Sequence, residues 1–107
     1  METRIAFVTI PRGEARRFAK ALLESRLAAC VNILDIGSLY WWEGRVEEDE
    51  EALLIIKTQA KHTEQLEKFI LEEHPYQVPE YIVLEPKHVY SKYSKWVVES
   101  TSLTGEE

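Results

Sequence analysis

Two stretches of this 107-residue chain gather side chains that can do chemistry. His74-Pro75-Tyr76-Gln77-Val78-Pro79-Glu80 presents an imidazole, a phenol and a carboxylate on a segment stiffened by two prolines. A rigid loop of that make-up suits the positioning of a ligand. The prolines serve equally to stop a helix and open a strand, and both readings stand at this point. Tyr40-Trp41-Trp42-Glu43-Gly44 carries two of the three tryptophans. Successive large residues on a strand put aromatic rings on both faces, one for the core and one for a partner. Plain core packing accounts for the cluster as well.

Cys30 is the one cysteine. A thiolate activated by His74 defines an enzyme alternative, whereas Ala28-Ala29-Cys30-Val31 reads as buried strand, where a thiol is an inert small hydrophobe. No nucleophile, base and orienting group can be assembled from spacing, so a protein without catalysis is expected. Lys57 lies between apolar neighbours and must snorkel to solvent or meet an anion, either a carboxylate across a subunit boundary or a small anionic ligand in a cleft. The run Glu47 to Glu51 offers oxygen ligands to a hard cation. A solvated hairpin tip is the simpler reading, since no spacing fixes a coordination shell. His62, His74 and His88 are not at metal-ligand spacing, which excludes a closed zinc site within one chain. The chain has no GxGxxG, P-loop, HExxH or CxxC.

These residues need elements to hold them. Arg4 to Ile10 is β-prone and stops at Pro11-Arg12-Gly13. From Glu14 to Arg26, Ala15, Phe18, Ala19 and Leu22 recur at helical spacing, which predicts an amphipathic helix. Leu27 to Ile36 reads as strand, broken or bulged at Gly37-Ser38 and resumed at Leu39 to Trp42. Gly44 and the acidic run are expected to form the turn to a strand over Ala52 to Thr58. A helix from Thr63 to Glu73 should bury Leu66, Phe69 and Ile70 and end at Pro75. A fourth strand, Tyr81 to Glu85, and a last helix, Ser91 to Ser102 with Tyr93, Trp96 and Val97 inward, complete the order β-α-β-β-α-β-α. The first six elements predict an α+β fold, the ferredoxin-like split βαβ sandwich, with a long hairpin and a C-terminal helix. Residues 1–107 read as a single domain.

Composition narrows the classes further. With 45% apolar and 30% charged residues and a formal charge of −6, the chain is an ordinary globular one. Its acidity argues against nucleic-acid binding, which draws affinity from Lys and Arg on phosphates. No apolar run approaches the ~20 residues that span a membrane. Met1-Glu2-Thr3-Arg4 lacks the charged-then-apolar build of a secretory signal, and one cysteine fits a reducing cytoplasm. The strands are apolar on both parities: Val31 and Ile33 against Leu34 and Ile36, Leu53 and Ile55 against Leu54 and Ile56. A sheet with helices on one face would then leave an apolar patch on the other, which the last helix covers only in part. A homo-oligomer is expected.

Taken together, Leu27-Ala28-Ala29-Cys30-Val31-Asn32, Tyr40-Trp41-Trp42-Glu43-Gly44, Leu54 through Lys57-Thr58, His74-Pro75-Tyr76, Val78-Pro79-Glu80, and Tyr93 with Trp96 resemble the CutA family of divalent-cation tolerance proteins. The resemblance spans nearly the whole chain. It implies a tight homotrimer of ferredoxin-like subunits, similar to the PII signalling proteins, in the cytoplasm and linked to tolerance of divalent metals, copper especially. It places metal ligands at His74 and Cys30, with a divalent ion, Cu or Zn, as the cofactor class. Any such ion is expected to be held weakly, because one chain supplies only these two soft donors. An inter-subunit cleft would be built from Tyr40, Trp42, Lys57, Tyr76 and Glu80 and take a metal or a small anionic ligand. The function so implied is that of a trimeric metal- or ligand-binding signalling or scaffold protein. The partners implied are two further copies of the chain, with no nucleic acid and no membrane.

Overall fold

The computed structural model describes residues 2–102. In chain order it has β1 (Thr3–Ile10), α1 (Arg12–Glu24), β2 (Cys30–Trp42), β3 (Arg45–Gln59), a short 3-10 turn (Ala60–His62), α2 (Thr63–Glu73), β4 (Ile82–Leu84) and α3 (Ser91–Ser100). All neighbouring strands are antiparallel, in the order β2-β3-β1-β4. This is the ferredoxin-like arrangement that the alternation of periods predicts.

Residues facing one another across an antiparallel pair share a face of the sheet. Val8 lies opposite Leu54, and Leu54 opposite Ile33. Ala6, Val8, Ile10, Ala52, Leu54 and Ile56 therefore line one face. They form a continuous core with Ala15, Phe18 and Leu22 of α1 and with Leu66 and Ile70 of α2. Phe69 packs against that core and meets Phe18 edge-on, with ring centroids 5.6 Å apart. Both helices thus bury the stripes that their spacing sets.

The other face is only partly covered. At one end α3 closes over it: Val97 is buried, the Thr3 hydroxyl donates to Ser94 Oγ at 3.0 Å, and Gln59 Nε2 donates to Thr101 Oγ1 at 2.8 Å. Tyr93 and Trp96, expected to face inward, instead pair with each other and stay exposed, because α3 is seated by Val97 and the Thr101 network. Beyond α3, Leu34, Ile82 and Leu84 remain exposed on the bare face.

The hairpin differs from expectation. β2 runs unbroken through Gly37-Ser38, and the acidic run is strand rather than turn: Gly37, Ser38, Leu39 and Tyr40 pair in register with Glu50, Asp49, Glu48 and Glu47. Cross-strand pairing overrides the poor strand propensity of the acids. The turn itself is Glu43-Gly44, with φ of 50° and 79°. That positive pair is what a two-residue hairpin of the I′ kind requires, and it normally selects Asn-Gly. Glu43 bears the cost of a left-handed backbone for a residue with a Cβ. We expect Glu43→Asn to raise the unfolding free energy by about 1 kcal/mol. Denaturant midpoints at fixed protein concentration check it, and an unchanged or lowered midpoint would refute it.

Candidate functional site

Past the reach of the helices the β2–β3 hairpin meets the loop after α2. Ser38, Tyr40 and Trp42 of β2, Glu51 of β3 and Thr9 of β1 share the bare face by register. The loop brings Tyr76, Gln77, Val78 and Glu80 against them. Together they line a cleft of about 690 Å³, within the range of small-molecule sites.

His74 holds the loop in place. Its Nε2–H donates to the Thr9 carbonyl at 2.7 Å, and its Nδ1 accepts the backbone N–H of Tyr76 at 3.1 Å. The ring is buried, edge-on to Phe18 and tilted against Tyr76 at centroid distances of 5.8 and 4.8 Å. So seated, Tyr76 donates its hydroxyl to Glu51 Oε2 at 2.5 Å. Tyr40 donates in the same way to Asp49.

Burial, then the hydrogen bond to Glu51, raises the Tyr76 phenol well above its ordinary range. The bond to Asp49 is the main cause that pushes Tyr40 up to about 12. Burial, and then the neighbouring charge of Glu51, raises the Glu80 carboxyl. Both phenols therefore serve as donors at neutral pH.

Of the expected cleft residues, Tyr40, Trp42, Tyr76 and Glu80 come together and Lys57 does not. Lys57 lies six residues along β3 from Glu51, about 20 Å away at strand rise. Its ammonium bonds the Asn32 side chain, beside Cys30. Cys30 and His74 are also apart. Cys30 pairs with Lys57, whereas His74 is tied to Thr9, whose β3 partner is Leu53, about 13 Å along the sheet. Both ring nitrogens of His74 are engaged inside the protomer, so the metal pair expected at His74 and Cys30 is not assembled here. Among the described residues no group of three or more His, Cys, Asp or Glu is placed to hold a metal. The donor set therefore does not fit a resident metal ion in the protomer. Cys30 itself is half-buried, and its thiol lies 3.9 Å from Asn32 Oδ1.

Two contributors escaped sequence reasoning. Glu51 was one acid among five, although counting back from a Glu43-Gly44 turn sets it across from Ile36, on the face of Tyr40. Arg12, at the start of α1, ties the base of the hairpin: its guanidinium donates to the carbonyls of Ile36 and Glu51 at 3.1 Å each and to Glu50 Oε1 at 2.8 Å. It also pairs with Asp35 at 3.6 Å. No local pattern around Pro11-Arg12 signals that role.

The fold and cleft define an α+β ferredoxin-like domain with a hairpin-and-loop cleft. Residues 4–100 match the family model described as CutA1 divalent ion tolerance protein, and the chain belongs to that family. It is 42% identical over 98 residues to the divalent-cation tolerance protein CutA of Pyrococcus horikoshii, covering 91% of this chain and 96% of that one. It is 44% identical to the chloroplastic protein CutA 1 of rice, over 91% of this chain but only 56% of the rice protein. Among solved structures, the PII-like protein CutA from Nostoc sp. PCC 7120 in apo form superposes with a TM-score of 0.90 at 33% identity, covering 94% of this chain and 98% of that chain.

Proposed function

We propose that this chain is the subunit of a cytoplasmic homotrimer that binds a small ligand without catalysis, its cleft completed by a neighbouring copy. The apolar surface left bare carries this reading. Leu34, Ile82 and Leu84 on the sheet face and Leu39, Trp41 and Val46 on the hairpin are all exposed in one protomer. By register the first three lie on the bare face and the last three on the opposite face of the hairpin, beyond the helices. Exposure of that extent marks interaction surfaces, and Leu39 and Trp41 border the cleft. The three-fold number is what the family resemblance implies, and the likeness to a PII-like protein supports that kinship. Absence of catalysis is supported by the separation of Cys30 from His74, which leaves no thiol–imidazole pair. Among the described residues no helix is long and apolar enough to cross a membrane, and the cytoplasmic placement is supported by the single cysteine.

Sedimentation tests the reading. At micromolar concentration we expect a species of about three times 12.5 kDa. A monomer there would overturn it.

A further inference from the structure

The walls of the cleft contain two carboxylates, Glu51 and Glu80, and no lysine, arginine or histidine. Glu51 is 5% exposed, and Tyr76 is its hydrogen-bond donor. Among the described residues no cationic side chain pairs with either carboxylate. The nearest, Arg12, reaches only the Glu51 main chain and spends its charge on Glu50 and Asp35. Four aromatic residues, Tyr40, Trp41, Trp42 and Tyr76, line the same wall among neutral polar and apolar neighbours. An anion entering here would meet two like charges. A transition-metal ion would lack soft donors and a third ligand. A neutral guest would leave both carboxylates uncompensated in a partly desolvated space.

We propose, building on the ligand-binding reading above, that the cleft takes a small protonated organic amine, its N–H groups donating to Glu51 and Glu80 and its body lying against Trp42, Tyr40 and Tyr76. Aromatic faces attract such cations, more strongly when water is excluded. Carboxylates give them charge-assisted hydrogen bonds. Burial, and after it repulsion by Glu51, raises the Glu80 carboxyl, and a cation between the two groups relieves that repulsion. The anionic guest suggested by Lys57 is replaced, since Lys57 lies about 20 Å along β3 from the cleft and is held by Asn32.

The test uses the intact oligomer and three probes of one shape: 2-phenylethylamine, 3-phenylpropionate and 2-phenylethanol, with zinc sulfate as a fourth. Titrations follow heat and the indole N–H NMR signals of Trp41 and Trp42, with Trp96 on α3 as the remote control. We expect the amine to bind at least tenfold more tightly than the anion and to move the Trp42 signal. Glu80→Gln and Glu51→Gln should each weaken it about tenfold at unchanged oligomeric state. Glu80→Gln serves on its own if Glu51→Gln fails to fold. Equal or tighter binding of the anion, or zinc binding more tightly through these two glutamates, overturns the amine assignment but leaves a working cleft. If no probe moves Trp41 or Trp42, the cleft is not a ligand site, and the reading on which the proposal rests falls with it.

Discussion

Replacing Leu54 with Ala will lower the unfolding free energy by about 3–4 kcal/mol, the range for emptying a fully buried leucine site. Leu54 has no exposed surface. It sits mid-strand on β3, opposite Val8 on one side and Ile33 on the other. Both neighbours belong to a sheet held from two sides, so the backbone cannot close over the space. For a chain of this size the melting temperature should fall by roughly 10–20 °C. Leu71→Ala, on the exposed side of α2, should change stability by less than about 0.5 kcal/mol. Thermal and urea unfolding at matched protein concentration compare the two, since any oligomer gains stability with concentration. A Leu54→Ala loss below about 1 kcal/mol would mean that the core is elsewhere.

His74→Ala is the second large effect, and it separates a structural histidine from a metal ligand. Removal of the ring leaves the Thr9 carbonyl and the Tyr76 N–H without partners and strips the edge contact with Phe18. Unmade bonds of that kind, with lost packing, amount to about 2–4 kcal/mol. The loss should appear equally in protein stripped with chelator and in protein supplied with zinc. It should be accompanied by proteolytic cleavage in the segment from Pro75 to Pro79, now detached from β1. Tyr76→Phe, which removes only the bond to Glu51, should cost about 1 kcal/mol and leave the segment resistant. If His74→Ala is harmless in chelated protein and destabilising only against a metal-loaded parent, the imidazole is a ligand after all.

These two positions also mark what could be read from sequence. The core was legible because its signal is periodic. Ala15, Phe18, Ala19 and Leu22 recur at helical spacing and are the buried residues of α1, and α2 begins at Thr63 and ends at Glu73 as its pattern and Pro75 require. The long hairpin was legible too, but its turn was not, because five successive acids look like a loop, and only pairing with β2 holds them extended. With the turn misplaced, the register was lost. Register is what separates Lys57 from the cleft and puts Glu51 into it. The role of His74 was hidden for a different reason: its partner is the main-chain carbonyl of Thr9, 65 residues earlier, and a carbonyl has no residue type to betray it. Tyr40, Trp42, Tyr76 and Glu80 were grouped by kinship with a family, and the geometry brings those four together.

The sheet order has one more consequence. β2 is an outer strand of thirteen residues, Cys30–Trp42, and among the described residues nothing in the chain pairs with its far side. Its only charged residue is Asp35, and it carries no lysine, proline or bulge to deter a second strand from adding. Such an edge is a template for fibrillar growth, and here it borders exposed Leu39 and Trp41. A folded but solitary subunit is thus a hazardous intermediate. If the trimer proposed above covers this edge, crowding at synthesis, dilution or a weakened interface would each set how long the edge stays open, and the abundance of this protein would track that lifetime more closely than the stability of any one chain.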